Sequence, residues 1–174
     1  LFVGTLQPRK NVPRLLRAFA RVRRRVGGHV GLALAGQAGV GADALKTLAG
    51  ELGIAEAVRW LGYVPAADRP GLYAAAAGFV FPSLYEGFGL PAVEAMAWGT
   101  PVIASNTSSL PEVVGEAGIL VDPLDVDGLA DAMERILDDA TLAADLVAAG
   151  RVQAARFSWN ACAAVVESTF KESV

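Results

Sequence analysis

Two glutamates flank a glycine-rich turn near the middle of the sequence, in the stretch FPSLYEGFGLPAVEAMAWGTPV. They are Glu86 and Glu94, and seven residues separate them. Gly87 and Gly89 permit backbone angles that other residues avoid, so the main chain of the turn can come close to a ligand. Pro91 suits the first position of a helix, and the free amides at a helix start attract phosphate groups. The stretch therefore predicts a phosphate-binding turn with a carboxylate on each side.

The expected ligand must satisfy both the amides of this turn and its two carboxylates. The amides of Phe88, Gly89 and Leu90 suit phosphate, whereas a carboxylate repels phosphate and needs hydroxyl donors instead. A carboxylate accepts two vicinal hydroxyls well, and hydrogen bonds to charged groups contribute about 1.5–3 kcal/mol each. A molecule with phosphates in the middle and a sugar at each end meets these demands, which predicts a nucleotide-sugar. The alternative is a structural role, in which a glutamate caps a helix beside an ordinary turn.

A second candidate anion site follows the first predicted strand, in the segment GTLQPRKN. Arg9 and Lys10 stand directly before a predicted helix, where backbone amides and the helix dipole would add to their positive charge. The segment has neither the Walker spacing nor the G-x-G-x-x-G spacing of dinucleotide-binding loops. The alternative is that both side chains are solvated loop charges. Next to the glycine turn, however, two cations fit the diphosphate of a nucleotide-sugar.

Short apolar runs alternate with helical patterns along the chain. Strands are predicted at 1–5, 29–36, 57–62, 78–83, 101–105 and 118–123. Helices are predicted at 12–26, 42–53, 66–76, 91–99 and 110–116, followed by helical segments from 126 onward that break near Gly150 and at 157–158. This alternation predicts an α/β fold: a doubly wound, Rossmann-like parallel sheet of about six strands, with helices on both faces and further helices at the C-terminus.

The loops that follow these strands should form one rim, because such sheets bind ligands beyond the carboxyl ends of their strands. These loops are 4–11, 36–41, 62–66, 83–90 and 105–111. The two cations lie in the first loop and the glycine turn in the fourth. The sequence thus predicts that they meet at one site.

Composition limits the class of protein. The 174 residues suffice for one domain, and a net charge of −3 argues against a nucleic-acid partner, which needs a basic surface. No apolar run reaches the roughly 18 residues that suggest a membrane span, and no signal peptide is evident. The single cysteine, Cys162, cannot form an internal disulfide, which indicates a cytoplasmic location. Because the sequence starts inside a predicted strand, we expect it to be a piece of a longer chain.

The pattern E-G-F-G-L-P-x-x-E-A-M-A-x-G-x-P-V resembles the signature of glycosyltransferase family 4. The segments VGTLQPRKN, VRWLGYVP, LYAAAAGFVFPS and PEVVGEAGILVDP extend the resemblance over nearly the whole chain. It resembles the C-terminal, nucleotide-sugar-binding domain of these GT-B enzymes, nearest to the bacterial mannosyl- and hexosyltransferases of polysaccharide assembly.

This resemblance implies a retaining, metal-independent hexosyl transfer from a nucleotide-sugar to a glycan or a lipid-linked acceptor. It assigns residues 1–174 to the donor-binding domain and implies that the N-terminal, acceptor-binding domain is absent from this chain. It also implies that the full-length protein is cytoplasmic, with a peripheral position at the inner face of the membrane as one option. The base, the sugar and the acceptor stay open at this point.

The resemblance also assigns roles to the charged residues. Glu94 would hold the ribose hydroxyls of the nucleotide, and Glu86 would touch the transferred sugar. Arg9 and Lys10 would clamp the diphosphate and stabilise the charge that develops on it as it leaves.

Four further residues complete the donor site that the resemblance implies. The backbone around Tyr63 and Val64 would face the base, and Gly4 and Thr5 would line the site after the first strand. Many family members carry arginine at the position of Thr5. We expect Arg9 to replace that arginine from a different place in the same loop.

Two other classes of function stay open. A nucleotide-sugar epimerase on the same scaffold would need acid–base groups at the sugar, and the expected rim contains no histidine. A non-catalytic nucleotide-sugar-binding module is the other alternative. We expect neither a cofactor nor a catalytic metal, because the sequence DVD at 125–127 is typical of a helix start.

Several apolar residues are expected to have only structural roles. Trp60, Trp98 and Trp159 should pack in the core or between helices. Cys162, in an alanine-rich segment, should be a small buried apolar side chain.

Overall fold

The computed structural model describes residues 1–39 and 41–172. The strands are β1 (Phe2–Val3), β2 (Leu32–Ala35), β3 (Val58–Gly62), β4 (Phe79–Phe81), β5 (Val102–Ser105) and β6 (Gly118–Val121). The helices are α1 (Val12–Arg25), α2 (Ala42–Glu51), α3 (Arg69–Ala74), α4 (Leu90–Ala97), α5 (Leu110–Val114), α6 (Val126–Asp138), α7 (Ala140–Ala154) and α8 (Trp159–Glu172). The predicted alternation of strands and helices is confirmed, while the predictions at Val40, Ser173 and Val174 lie outside the described residues.

The six strands form two three-stranded parallel sheets, ordered β1-β2-β3 and β4-β5-β6. The two sheets adjoin at β1 and β4, where the Val80 amide donates to the Leu1 carbonyl at 2.8 Å. The Leu1 nitrogen in turn donates to the Gly78 carbonyl at 2.9 Å. The order in space is therefore β3-β2-β1-β4-β5-β6, which reverses between β1 and β4. In doubly wound folds, ligands bind at the carboxyl ends of the strands beside such a reversal.

A row of buried aromatic rings joins the two sheets beneath this crevice. Phe2 of β1 lies 6.2 Å from Phe81 of β4, measured between ring centroids. Phe81 stacks on Phe79 at 5.6 Å, and Phe79 meets Tyr73 of α3 edge-to-face at 5.5 Å. All four side chains are fully buried. Because each aromatic pair adds about 0.5–1.5 kcal/mol beyond its burial, the row stabilises the junction between β1 and β4.

The helical segments after residue 126 differ from the prediction at one break. Gly150 lies inside α7, and the break comes instead at Asp139, whose carboxylate accepts the Leu142 amide at 2.9 Å and caps α7. A Cβ atom on Gly150 would lie 3.3 Å from Cγ of Met96 in α4. The glycine therefore lets α4 and α7 pack closely and does not interrupt the helix. The second predicted break, at 157–158, is confirmed.

Helix α8 lies on the surface, which contradicts two of the packing predictions. Trp159 is 81% exposed, and Cys162 is exposed rather than buried. Trp98, at the end of α4, is half exposed, whereas Trp60 packs against the core as predicted. The apolar residues of α8 thus resemble core residues in type, but no element of residues 1–39 and 41–172 covers them. No described helix combines the length and apolar character that crossing a membrane needs.

The ends of β1 and β2 approach closely at two glycines. A Cβ atom on Gly36 would lie 1.9 Å from the carbonyl oxygen of Gly4, and Gly36 has a φ of +156°. Replacing Gly36 with alanine should push the two strand ends apart. We expect the free energy of unfolding to fall by about 2 kcal/mol or more, as measured by urea denaturation.

The matched control is Gly50→Ala in α2, where a new Cβ atom has no neighbour within 4 Å. Alanine favours a helix over glycine by about 1 kcal/mol, so this variant should be as stable as the natural chain or more stable. Equal stability of the two variants would contradict the proposed close contact at Gly36.

Candidate functional site

A cleft of about 240 Å³ opens at the carboxyl ends of β1, β2 and β3. Its walls contain four of the residues expected at the donor site, namely Gly4, Thr5, Tyr63 and Val64. They also contain Gly36, Gln37 and Arg69, which the sequence analysis did not assign to the site. A cavity of about 270 Å³ lies at the amino ends of β2 and β4, but only apolar side chains line it. The cleft is the better candidate because ligand sites combine apolar walls with a few polar groups.

Backbone hydrogen bonds hold the first three loops at one rim. The Gly4 amide donates to the Ala35 carbonyl at 2.8 Å, and the Gly36 amide donates to the Gly62 carbonyl at 2.7 Å. These bonds continue the β1–β2 and β2–β3 pairings beyond the strands. The loops that begin after the three strands therefore start side by side, and the cleft forms between them.

The loops after β4 and β5 join the same rim. The Leu84 amide donates to the Arg9 carbonyl at 2.8 Å, which ties the β4 loop to the β1 loop. The Glu86 amide donates to the Ser108 hydroxyl at 3.0 Å, and the Ser109 hydroxyl donates to the carbonyls of Glu86 and Phe88. The prediction that all five loops share one rim is confirmed.

Glu86 forms ion pairs with both cations of the β1 loop. Nζ of Lys10 lies 2.6 Å from Oε1, and Nη1 of Arg9 lies 2.8 Å from Oε2. Lys10 and Glu86 are only 5% and 7% exposed, whereas Arg9 is exposed. Nζ of Lys10 also lies 4.5 Å from the centroid of the Phe81 ring, a favourable cation–π distance. The sequence analysis predicted all three residues at the site but not that they bind one another.

Burial and pairing act in opposite directions on these charges. Burial alone would raise the pKa of Glu86, but hydrogen bonds, led by the one from Lys10, hold that pKa below its usual range. Burial lowers the pKa of Lys10, and the contact with Glu86 only partly opposes this shift. Arg9, Lys10 and Glu86 form a cluster with a formal charge of +1. It can therefore attract an anion even though one carboxylate lies inside it.

One position of the glycine turn has a backbone conformation that requires glycine. Gly89 has a φ of +106°, and a Cβ atom there would lie 2.7 Å from Cδ2 of Leu110. Gly87 does not have a positive φ, so its backbone does not need the angles expected of it. Helix α4 begins at Leu90 with Pro91 as its second residue.

The amides of the turn lack partners within the described part of the chain. Those of Phe88, Gly89 and Leu90 make no hydrogen bond to any other residue that the structure describes. The Phe88 ring meets Phe157 edge-to-face at 5.4 Å, so the segment between α7 and α8 supports the turn. Unpaired amides at the start of a helix can bind an anion, so the predicted phosphate contact stays a prediction at this position.

Glu94 already has two hydrogen-bond donors. Its Oε2 accepts from the Tyr73 hydroxyl at 2.9 Å, and Nη1 of Arg69 lies 3.2 Å from Oε1 and 3.3 Å from Oε2. Burial raises the pKa of Tyr73, and the charge of Glu94 raises it further, so the hydroxyl remains a donor. Arg69 also lines the cleft, which places Glu94 next to it. The sequence analysis identified neither Tyr73 nor Arg69 as a partner of Glu94, although their spacing of four residues puts them on one face of α3.

The acidic segment at 125–127 starts a helix. Oδ1 of Asp125 accepts the amides of Asp127 and Gly128 at 3.0 and 2.9 Å, which confirms its reading as a helix cap. Asp127 forms an ion pair with Arg21 at 3.0 Å. Within residues 1–39 and 41–172, no group of three or more His, Cys, Asp or Glu side chains could hold a metal ion.

The family follows from a comparison with known proteins. The family model described as glycosyl transferases group 1 matches residues 1–153, which include the cleft, the cation loop and the glycine turn. The chain belongs to this glycosyltransferase family. This result confirms the resemblance noted in the sequence.

Curated relatives of this glycosyltransferase-family chain include mannosyltransferases. O-antigen chain mannosyltransferase B of Escherichia coli is 45% identical over 172 residues, covering 98% of this chain and 45% of the relative. The MMP alpha-(1->4)-mannosyltransferase of Mycolicibacterium hassiacum is 40% identical over 171 residues, covering 96% of this chain and 41% of the relative. The chain spans less than half the length of the curated relatives it matches.

Two solved structures have the same fold as this chain. Sucrose-phosphate synthase from Thermosynechococcus elongatus matches with a TM-score of 0.86 and 32% identity, covering 98% of this chain and 45% of that one. Anabaena Alr3699/HepE, solved in complex with UDP-glucose, matches with a TM-score of 0.87 and 26% identity. That match covers 98% of this chain and 48% of the Anabaena protein.

Replacing Glu86 with glutamine should destabilise the protein in a pH-dependent way. The change leaves the buried Lys10 without a counter-charge, so we expect the free energy of unfolding at neutral pH to fall by about 2 kcal/mol or more. A carboxylate whose pKa is lowered by folding stabilises the protein above its unfolded pKa, and this stabilisation is lost as the pH falls through the folded pKa. The difference between natural chain and variant should therefore shrink below about pH 4.3, as measured by urea denaturation.

The matched control is Glu167→Gln, which removes the exposed ion pair with Lys171 in α8. Exposed pairs of this kind contribute at most about 0.5 kcal/mol. If the effect of Glu86→Gln were the same at acidic and neutral pH, the charge of Glu86 would not be the source of its stabilisation.

Proposed function

We propose that this chain binds the nucleotide-sugar donor of a glycosyl transfer and stabilises the nucleoside diphosphate as it leaves. The observation that carries the proposal is the arrangement along one rim. Arg69 lines the cleft and contacts Glu94. The free amides of the glycine turn lie in the same loop as Glu86, which pairs with Arg9 and Lys10 of the neighbouring loop. Base, ribose and diphosphate would each meet chemically suitable groups. Family membership and a structural neighbour that holds UDP-glucose support the proposal.

The nucleoside would occupy the cleft. The base would lie beside the backbone of Tyr63 and Val64, and the ribose hydroxyls would donate to Glu94. The side chain of Glu94 is 32% exposed, so it is accessible to a ligand although it also contacts Tyr73 and Arg69. A carboxylate has about four acceptor positions, which leaves room for hydroxyl donors beside these two contacts.

The diphosphate would lie between the glycine turn and the cations. Negative charge builds on the leaving phosphate as the bond to the sugar breaks. The amides of residues 88–90, together with Arg9 and Lys10, would stabilise this charge from positions that are set before the reaction. Because these groups supply positive charge themselves, we propose that the transfer needs no metal. Retention of configuration is proposed from the family alone.

Glu86 would have two roles. Its ion pairs hold Arg9 and Lys10 in place, and each carboxylate oxygen retains capacity to accept a hydroxyl of the transferred sugar. Arg9 is the more exposed of the two cations, so it is the better placed to reach a phosphate and to compensate for Thr5. We propose that the transferred group is a hexosyl group, and the mannosyltransferase relatives favour mannose.

An epimerase is less well supported by the site. The sole histidine of the sequence, His29, lies just before β2, at the end of the sheet opposite the rim. No imidazole is therefore available for acid–base chemistry at the sugar. The glycosyl-transfer proposal requires only the cations, amides and carboxylates that are present.

We further propose that different domains bind the donor and the acceptor. The glycan or lipid-linked acceptor would be held by another domain, N-terminal to this chain, because these residues match less than half of their relatives. Apolar side chains exposed on α8, such as Phe170 at 71% exposure, would face that domain. A cytoplasmic location, with a peripheral position at the membrane, stays a prediction.

Glu94→Gln should weaken nucleotide binding and leave the fold intact. It removes the charge that would accept the ribose hydroxyls, so we expect a loss of about 2 kcal/mol in the binding of UDP, GDP or ADP, whichever binds most tightly. Isothermal titration calorimetry gives the affinity, and circular dichroism checks the fold. Glu116→Gln, at an exposed carboxylate elsewhere on the chain, is the control. Unchanged affinity in the Glu94 variant would exclude its assignment to ribose.

The isolated chain should bind a nucleotide-sugar but transfer no sugar at a useful rate. Orientation of the acceptor and exclusion of water contribute several kcal/mol to such reactions, and half a cleft supplies neither. The measurement is transfer from a radiolabelled donor to a set of glycan and lipid-linked acceptors, beside a longer natural chain that includes the N-terminal region. Comparable turnover by both proteins would place the acceptor site within residues 1–174.

A further inference from the structure

Two donors on one face of α3 contact the carboxylate that we assign to ribose. Arg69 and Tyr73 are four residues apart, so both point from the same side of the helix. Both reach Glu94 in α4, across a sequence separation of 25 and 21 residues. The proposed reaction has not so far required either residue.

The hydroxyl of Tyr73 has a position set by the core. Its side chain is fully buried, and its ring packs edge-to-face on Phe79 at 5.5 Å. Its backbone carbonyl accepts the Thr100 hydroxyl at 2.8 Å. Because this burial and packing fix the ring, the hydroxyl has little freedom, whatever bond the backbone carbonyl makes. The 2.9 Å bond to Oε2 of Glu94 therefore transmits the rigidity of the core to the carboxylate.

Without such a contact, a glutamate on a helix surface would sample several rotamers. Terminal carboxylate torsions are broad, so the oxygens would spend part of their time turned away from the cleft. A bond at Oε2 selects one orientation and leaves acceptor positions on Oε1 for a ligand. Holding a binding group in its productive orientation before the ligand arrives increases affinity, because less freedom is lost on binding.

Arg69 complements this contact on the cleft side. Its Nη1 lies within 3.3 Å of both carboxylate oxygens, and its side chain is 34% exposed in the wall of the cleft. Its positive charge offsets the charge of Glu94. An unpaired carboxylate would repel a nearby diphosphate, so the arginine allows ribose binding and diphosphate binding on the same rim.

We propose that Tyr73 is a positioning residue for the ribose-binding Glu94, and that Arg69 completes the same arrangement at the cleft wall. This inference rests on the proposed function. It predicts that the site distinguishes ribose from a sugar that lacks a hydroxyl. It also predicts that the packing of α3 against β4 contributes to this selectivity, because that packing holds Tyr73. Tyr73 itself does not touch the ligand.

The test compares each ribonucleotide with its 2′-deoxy form. Affinities for UDP, GDP and ADP and for the three deoxy counterparts are measured by calorimetry, for the natural chain and for Tyr73→Phe. We expect Tyr73→Phe to weaken the ribonucleotide by about fivefold and the deoxynucleotide by less than about twofold, so the preference for ribose decreases. In a Glu94→Gln background, Tyr73→Phe should cause no further loss, since the oriented charge is gone.

The matched control is Thr100→Val, which removes the hydrogen bond to the Tyr73 carbonyl without touching Glu94. It should lower the melting temperature and leave the preference for ribose unchanged. If Tyr73→Phe does not fold, Arg69→Gln gives the second measurement, because its partly exposed side chain can be changed without a cavity. For Arg69→Gln we again expect a decreased preference for ribose.

The outcomes separate the inference from the function it rests on. If the natural chain binds none of the three nucleotides, the proposed function and this inference both fail. If it binds one of them and Glu94→Gln weakens that binding, but Tyr73→Phe and Arg69→Gln keep the natural preference for ribose, only the positioning role is overturned. A decreased preference in Tyr73→Phe, with Thr100→Val unchanged, supports the positioning role, and the same result in Arg69→Gln supports it where Tyr73→Phe does not fold. A decrease in Arg69→Gln alone, with Tyr73→Phe folded and unchanged, overturns the role of Tyr73.

Discussion

The buried ion pair between Lys10 and Glu86 holds together two loops that belong to different halves of the fold. One loop follows β1 and the other follows β4, and the strand order reverses between them. Beneath the pair, the contact of Phe2 with Phe81 fixes the distance between the two sheets. A buried ion pair seldom stabilises a protein more than well-packed apolar residues would. Its value at this position is that it keeps a cluster of net positive charge at the mouth of the crevice.

The rim is organised before any ligand arrives. Glu86 has its cations, and Glu94 has the Tyr73 hydroxyl and the Arg69 guanidinium. The amides of the glycine turn, by contrast, make no bond within the described residues. Donors are thus free where an anion is expected, and acceptors are already oriented where hydroxyls are expected. Such preorganisation is the usual source of electrostatic stabilisation in enzymes, because the groups need not move during the reaction.

Local patterns in the sequence were sufficient for most of the fold and for the rim on which the candidate site lies. Apolar periodicity identified the strands and helices, and the rule that ligands bind beyond strand ends placed the loops on one rim. These patterns were insufficient for residue types that occur in two different structural contexts. Gly150 was expected to break a helix but allows close packing against Met96, and Trp159 and Cys162 of α8 were expected to be buried but are exposed.

By itself, the sequence determined which chemical groups stand at the rim: two cations before a helix, a glycine turn, and two carboxylates separated by seven residues. Only the tertiary structure decided how these groups pair. Glu86 lies 76 residues from Lys10 in the sequence, and Glu94 lies 21 residues from Tyr73. Such contacts depend on the crossover that brings β4 beside β1 and on the packing of α3 against α4. Periodicity reports which face of an element is buried, but it does not report which distant side chain that face will meet.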